Sequence, residues 1–305
     1  MLSRSVFLSL ALSATAFASG LGCSSSDTTT GTTGTGGSSA ATSTGTGGDG
    51  TGGTTTTTST GTGGPASAAF VLVHGAWMGA WCWDEVGAAL KAKGATVITV
   101  DLPAHGADMT AVSAATLDAY VAKAGDAVTG AGVPVYLVGH SMGGMVITQV
   151  AEKLPAKIAG LVYVAAFLPK EGQSLQSLSM SDTDSHLGAN LQIDAANGVG
   201  KIPMDKLQDI FCADCTATQM ASITSHYRDE PLAPFAAPAH ITDANWGKVT
   251  KYYVYTKQDN AVSYKLQQTM TTGVTLAKTA TLDRSHSPFI SYSSEVTDAL
   301  LSFVP

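Results

Sequence analysis

The segment VYLVGHSMGGMVITQVAEKLP, residues 135–155, changes its hydrophobic pattern at one polar residue, Ser141. The four residues before the pattern changes, Val135–Val138, are typical of a buried strand, and apolar residues recur at helical spacing after Ser141. Gly139 and Gly143 complete a G-x-S-x-G pattern, in which a sharp strand-to-helix turn raises the serine hydroxyl above the sheet. The alternative is an ordinary helix start with Ser141 as the N-cap.

The same alternation of apolar strands and amphipathic helices continues along most of the chain. Strands are predicted at 68–75, 96–101, 135–140, 158–167, 251–257 and 273–282, and helices at 83–94, 113–128, 142–154, 261–271 and near the C-terminus. This order predicts an α/β fold with a mainly parallel six-stranded sheet flanked by helices.

Residues 168 to about 248 interrupt this alternation, because they contain several prolines and helical fragments but no clear strand. We predict that they form an inserted, mostly helical cap. Such a cap would cover the carboxyl edge of the sheet, where ligands bind in folds of this kind.

Residues 1–23 have the layout of an export signal. Arg4 is followed by an apolar run from Val6 to Ala18, which is too short to span a membrane. Two processing routes are open. A small-x-small site that ends at Ala18 fits ordinary signal cleavage, whereas GLGC, which ends at Cys23, resembles a bacterial lipobox in which the cysteine is lipidated.

Residues 24–67 are almost entirely Ser, Thr and Gly and contain too few apolar side chains to fold. We predict a disordered, flexible tether. A tether behind Cys23 favours the lipidated form, although Gly20 stands where a lipobox usually has a large aliphatic residue. We expect a lipoprotein anchored in a bacterial cell envelope, and a secreted protein is the alternative.

Residues 68–305 are long enough for one α/β domain with its cap. The whole chain has a formal net charge of −7 and no basic cluster that could neutralise phosphates, which argues against nucleic-acid binding. The sequence has no H-E-x-x-H motif or carboxylate cluster, so we expect no metal site.

Three cysteines follow Cys23. Cys82 lies in an apolar stretch and is expected to be a small buried residue. Cys212 and Cys215 form the motif CADC, and neither a second such pair nor a histidine pair accompanies them. A local disulfide and two free thiols therefore both stay open.

A serine hydroxyl is a weak nucleophile until an oriented base takes its proton. Where a serine occupies such a turn, an acid and then a histidine follow it along the chain. Asp259 and His286 each come after a predicted strand, so both should lie at the carboxyl edge with Ser141. We predict that Asp259 orients His286 and that His286 activates Ser141. Asp283 is the rival acid.

Acyl transfer also needs hydrogen-bond donors for the developing oxyanion. The backbone N–H of Met142, directly after the serine, is one candidate. The second is the N–H of Ala76 in the loop HGAW, where Gly75 allows a close approach. Trp77 is expected to wall the substrate pocket, with ordinary core packing as the alternative.

Three histidines near these residues are expected to be structural. His74 should hold down the turn that follows the first strand, and His105 should form hydrogen bonds within its loop. His140 is adjacent to the serine, and its side chain should point away from the site.

Several motifs resemble the α/β-hydrolase family of plant methylesterases, hydroxynitrile lyases and their bacterial esterase relatives. They are FVLVHGAWMGAWCW, VITVDLPAHG, VYLVGHSMGGMV, LVYVAAFLP, YYVYTKQDNAV and SHSPFISYSSEV. The resemblance covers most of residues 69–305 and is weakest in the cap. It implies an α/β-hydrolase fold, a Ser141–Asp259–His286 triad and no cofactor.

The lyases of this family carry a threonine where this chain has Gly75 and a lysine where it has Ser287. Both departures favour ester hydrolysis. We therefore expect a cofactor-independent serine hydrolase that cleaves small-molecule carboxylic esters. A hydroxynitrile lyase and a non-catalytic small-molecule-binding surface protein are the alternatives. The sequence does not distinguish an esterase from a lactonase or an amidase, and it leaves the particular ester and the oligomeric state open.

Overall fold

A computed structural model describes residues 68–305 of the chain. The predicted signal peptide, the lipobox at Cys23 and the tether at 24–67 lie outside the described residues. Within the described part, no helix combines the length and the apolar character that a membrane span requires.

Nine strands and eleven α-helices make up the described domain. The strands are β1 (Ala69–Val73), β2 (Thr96–Val100), β3 (Val135–His140), β4 (Ile158–Val164), β5 (Gln192–Asp194), β6 (Val199–Lys201), β7 (Glu230–Pro231), β8 (Lys251–Thr256) and β9 (Lys278–Leu282). The helices are α1 (Asp84–Ala92), α2 (Leu117–Gly130), α3 (Gly143–Lys153), α4 (Leu175–Ser181), α5 (Leu187–Asn190), α6 (Leu207–Phe211), α7 (Ala217–His226), α8 (Ala233–Ala236), α9 (Tyr264–Thr271), α10 (Pro288–Ser291) and α11 (Ser293–Ser302).

Six strands form one sheet in the order β2-β1-β3-β4-β8-β9, and every neighbouring pair is parallel. The central strands β1 and β3 are buried along their whole length, as expected when helices cover both faces of a parallel sheet. The predicted six-stranded α/β fold is confirmed. The last strand is shorter than predicted, since it begins at Lys278 rather than at 273.

The chain between β4 and β8 contains the helices α4 to α8 joined by irregular segments, and we refer to residues 165–250 as the insertion. It also contains a small antiparallel sheet in the order β5-β6-β7, which the sequence did not indicate. These strands are only two or three residues long, too short for an alternating pattern to show. One of them contains Pro231, which ordinarily argues against a strand.

Helix α3 begins directly behind the turn at Ser141 and is buried on all sides over residues 143–151. Its second residue, Gly144, faces the backbone after β4. A Cβ at Gly144 would lie 2.1 Å from the carbonyl oxygen of Phe167. Any side chain at this position would therefore force the helix away from the chain segment that enters the insertion.

We predict that Gly144→Ala lowers the free energy of unfolding by about 2 kcal/mol, the usual range for an overpacked core. Gly125→Ala is the matched control. This glycine also lies within a helix, but its Cβ would meet only Leu154, at an ordinary 3.5 Å, and alanine should stabilise the helix by roughly 0.5–1 kcal/mol. Urea unfolding of both variants measures the difference. Equal changes in the two would contradict the assigned contact.

Candidate active site

The turn between β3 and α3 holds Ser141 in a left-handed backbone conformation, with φ +51°. Such a conformation is strained for a residue other than glycine and costs of order 1 kcal/mol or more. The flanking glycines permit the turn. A Cβ at Gly139 would lie 2.6 Å from the carbonyl oxygen of Gly143, and a Cβ at Gly143 would lie 2.7 Å from that of His74. Residues 139–143 therefore form the sharp strand-to-helix turn that the G-x-S-x-G pattern predicts.

Asp259 and His286 are brought together at the carboxyl ends of β8 and β9. The Nδ1 of His286 lies 2.8 Å from Oδ2 of Asp259, and both side chains are buried. A carboxylate oxygen can only accept, so Nδ1 carries the proton and Nε2 is left with its lone pair when the ring is neutral. This tautomer is the one that a general base requires.

Five donors hold the Asp259 carboxylate. Its Oδ1 accepts from the backbone N–H groups of Ala261 and Val262, both at 2.8 Å. Its Oδ2 accepts from the Thr256 hydroxyl and the Gln267 amide, in addition to His286. These donors hold the Asp259 carboxylate in place, and the carboxylate in turn fixes the orientation of the His286 imidazole.

The rival acid is placed differently. Asp283 is exposed and accepts a hydrogen bond of 3.3 Å from the side chain of Gln258. The geometry pairs His286 with Asp259 and not with Asp283.

No direct hydrogen bond joins Ser141 to His286 within the described chain. The two are linked through His140, whose Nε2 donates to the backbone carbonyl of His286 at 3.0 Å. The hydrogen bond between a catalytic serine and its histidine is commonly long in a ligand-free enzyme and shortens when substrate binds. His140 therefore contacts the backbone of the loop that carries His286, which we call the histidine loop. The sequence did not predict this contact.

His140 is fully buried, and its ring centroid is 4.5 Å from that of His286. Burial, and then the proximity of His286, hold the pKa of His140 well below its ordinary value. A neutral ring is compatible with its role as a packed hydrogen-bonding group beside the site.

The two residues predicted to supply oxyanion donors, Ala76 and Met142, line the same cleft as Ser141. Neither the N–H of Ala76 nor that of Met142 donates to an acceptor within residues 68–305. Gly75 makes the close approach possible, because a Cβ there would lie 2.8 Å from the Cβ of Ser141. Ala76 and Met142 thus share a cleft with Ser141, and their N–H groups form no hydrogen bond within residues 68–305; their role as oxyanion donors stays a prediction.

His74 fixes the peptide that carries the Ala76 N–H. Its Nδ1 donates to the carbonyl of Gly75 at 2.8 Å, and its Nε2 accepts from the N–H of Leu102 at 3.1 Å. Burial and the nearby His105 lower the pKa of His74 to about 3, so the ring is neutral. The carbonyl and N–H of a trans peptide point in opposite directions, so holding the Gly75 carbonyl aims the Ala76 N–H.

An apolar cleft opens over Ser141. Trp77 and Met142 line it from the sheet side, and Leu175, Leu187, Phe211 and Phe235 line it from the insertion. Its volume of about 20 Å³ is roughly what one water requires. An ester can bind only if side chains of the insertion move apart.

Trp77 lies in this wall, as predicted, and is held from the insertion. Its Nε1 donates to the carbonyl of Gly200 at 2.9 Å, and its ring centroid is 5.4 Å from that of Phe211. The ring is therefore both a cleft residue and a contact between the two parts of the domain.

Two acidic residues of the insertion contribute to the site, and the sequence did not point to either. Glu230 is fully buried, and its Oε2 accepts from the N–H of Trp77 and pairs with His105, both at 2.7 Å. Asp214 accepts from the N–H and the hydroxyl of Ser285, next to the catalytic histidine loop. Asp214 is the acidic residue inside the CADC motif, and its place between the two cysteines was the one available signal for it.

The CADC motif forms a disulfide between Cys212 and Cys215. Of the two alternatives, a local disulfide and two free thiols, the structure therefore has the disulfide. Cys82 is free and buried, as expected. Among residues 68–305, no three His, Cys, Asp or Glu side chains are grouped so that they could hold a metal ion.

The chain is similar to known proteins over the described domain. The model of the alpha/beta hydrolase family matches residues 70–299. The protein provisionally named methylesterase 11, chloroplastic, of Arabidopsis thaliana is 33% identical over 76% of this chain, which spans 63% of that relative's length. Methylesterase 7 of the same plant is 30% identical over 76% of this chain and 94% of its own.

Among solved structures, polyneuridine aldehyde esterase superposes with a TM-score of 0.71 at 22% identity, covering 78% of this chain and all of that one. At this identity the likeness concerns the fold alone. The chain belongs to the α/β hydrolase family.

Proposed function

We propose that this protein hydrolyses carboxylic esters of small molecules through an acyl-enzyme intermediate on Ser141. The observation that carries the proposal is the buried Asp259–His286 pair at the sheet edge where the strained Ser141 lies, together with the Ala76 and Met142 N–H groups, which line the cleft with Ser141 and have no acceptor within residues 68–305. A nucleophile, an oriented base and oxyanion donors together constitute the machinery of acyl transfer.

In the proposed reaction, the Ser141 hydroxyl attacks the ester carbonyl while Nε2 of His286 takes its proton. Asp259 holds the resulting imidazolium. The N–H groups of Ala76 and Met142 donate to the tetrahedral oxyanion, and one such donor contributes about 10²–10³ in kcat. His286 then protonates the leaving alcohol, and water, deprotonated by the same ring, releases the acid from the serine.

The cleft favours small substrates because it is narrow, and it favours apolar groups because its walls are almost entirely apolar. Relatives named methylesterases make methyl esters the first substrates to test. A series of methyl and p-nitrophenyl esters with increasing acyl length should show turnover that falls once the acyl group outgrows the cleft.

Hydroxynitrile lyase chemistry, the alternative on this scaffold, is not favoured. A Cβ at Gly75 would lie 2.7 Å from Nδ1 of His140 and 2.8 Å from the Cβ of Ser141. The threonine that the lyases carry at this position would therefore have to displace the side chain of His140 or Ser141.

We expect Ser141→Ala to abolish ester turnover and to leave the fold intact, because alanine loses only the hydroxyl. A fluorophosphonate should label the wild type once and should not label the variant, as measured by intact mass spectrometry. Labelling of Ser141→Ala at the wild-type rate would place the nucleophile elsewhere.

A pair of conservative substitutions identifies the acid. Asp259→Asn should lower kcat roughly 10⁴-fold, the effect of the analogous change in a serine protease, because the imidazole loses its orienting acceptor. Asp283→Asn is the matched control and should have little effect, since this side chain is exposed and contacts Gln258. Steady-state kinetics with one p-nitrophenyl ester ranks the two, and the reverse ranking would move the acid to Asp283.

We also propose that the protein is exported and anchored by a lipid on Cys23. The signal-like residues 1–23 and the Ser/Thr/Gly composition of residues 24–67 support this. A lipid anchor would keep the enzyme at the cell surface, with the tether as spacer.

The anchor has a direct test in the native host. The wild-type protein should partition into the detergent phase of Triton X-114, and Cys23→Ser should move it to the aqueous phase. Recovery of a wild-type protein that begins at Ser19 would show cleavage after Ala18 and contradict lipidation.

A further inference from the structure

A buried acid–histidine pair outside the predicted triad lies beside the loop after β1, residues 74–77, which we call the oxyanion loop. Glu230 of β7 and His105, in the loop after β2, are both inaccessible to solvent, and their Oε2 and Nε2 atoms are 2.7 Å apart. Nδ1 of His105 must donate to the carbonyl of Pro103 at 3.0 Å, because that oxygen can only accept. The proton between Nε2 and Oε2 therefore completes either an imidazolium–carboxylate pair or a neutral pair.

The surroundings favour the charged form. Burial lowers the pKa of His105, but the charge of Glu230 and its hydrogen bond outweigh burial, so the pKa is raised. Burying such a pair is costly unless its geometry is good. Here the second carboxylate oxygen, Oε1, has no hydrogen-bond partner in the described chain, so stability alone is a poor explanation for the pair.

The same Oε2 atom also accepts the N–H of Trp77 at 2.7 Å. Trp77 has φ +60°, a conformation that is strained for a side chain as large as indole. Its peptide directly follows Ala76. The two peptides around Ala76 are thus held from opposite sides, by His74 at the Gly75 carbonyl and by Glu230 at the Trp77 N–H.

We propose that Glu230 is a positioning residue, which holds the strained Trp77 peptide and thereby aims the Ala76 N–H at the oxyanion. The assignment rests on the proposed ester hydrolysis. His105 supplies the counter-charge that allows a carboxylate to be buried at this point. The insertion would then contribute to transition-state stabilisation as well as to the cleft wall.

A structural alternative is that Glu230 only fastens the insertion to the sheet. Arg228 provides the matched control, because its guanidinium fastens the same segment to the same loop by donating to the carbonyls of Gly106 and Asp108 at 3.0 and 2.8 Å. It makes no hydrogen bond to the loop of Ala76 and Trp77. If fastening is all that matters, Arg228→Ala should impair the enzyme as much as changes at Glu230.

Glu230→Gln is the first test variant. A buried imidazolium without its carboxylate is unfavourable, so His105 should become neutral and its Nε2 should accept from the new amide. The amide nitrogen then lies opposite the N–H of Trp77. Because both groups are donors, the hydrogen bond that held the Trp77 peptide is lost. The second variant, His105→Leu combined with Glu230→Leu, removes the acceptor and the charges together, an exchange that buried ion pairs often tolerate.

The expected result is a kcat about ten- to a hundred-fold below wild type for p-nitrophenyl acetate, with KM changed by less than about threefold, in whichever of the two variants folds. Affinity for a trifluoromethyl ketone, which forms an oxyanion on Ser141, should fall by a similar factor. Affinity for the matching methyl ketone should stay within about threefold, because a ligand that forms no oxyanion does not use the aimed donor. Arg228→Ala should keep wild-type kcat and ketone affinities.

Two results would overturn the assignment. One is wild-type kcat in a folded Glu230 variant, and the other is an equal loss of kcat in Arg228→Ala. Absence of ester turnover in the wild type would instead overturn the proposed function, and the assignment with it. Circular dichroism and thermal unfolding of each variant establish which of them are folded.

Discussion

The close approach of three backbone segments at Ser141 is the constraint on which the rest of the site depends. The turn needs a left-handed serine, and the segments around it meet at glycines where a Cβ would lie less than 3 Å from its neighbours, at Gly75, Gly139, Gly143 and Gly144. The first strand's loop, the helix and the chain entering the insertion can therefore converge on one hydroxyl. With larger residues they would be held apart, and the N–H of Ala76 could not approach the nucleophile.

The insertion does more than cover this point. Its small sheet holds Trp77 twice, through the Gly200 carbonyl at the indole and the Glu230 carboxylate at the backbone. Its disulfide loop holds the histidine loop through Asp214. A movement of the insertion that widens the narrow cleft would therefore act on the loop of Ala76, the proposed oxyanion donor, and on the loop of His286, the proposed base. Binding energy from the substrate can in this way be used to assemble the site.

The sequence predicted what is encoded locally and missed what depends on contacts between distant segments. Six strands followed from apolar runs, and the pairing of Asp259 with His286 followed from chain order at one sheet edge. Glu230 and Asp214 gave no comparable signal, because their partners lie 125 and 71 residues away along the chain. A two-residue strand such as β7 has no periodicity from which its burial could be inferred.

The histidines show why local patterns do not decide protonation. His74 and His105 have ring centroids 4.9 Å apart, and burial lowers the pKa of both, yet their pKa values shift in opposite directions. His105 gains a carboxylate and its pKa is raised, whereas His74 has no such partner, and burial together with the charge of His105 lowers its pKa to about 3. Only a neutral His74 can accept from the N–H of Leu102 while it donates to the Gly75 carbonyl. Burial is thus the main reason that the ring holding Gly75 is neutral, and the charge of His105 acts in the same direction.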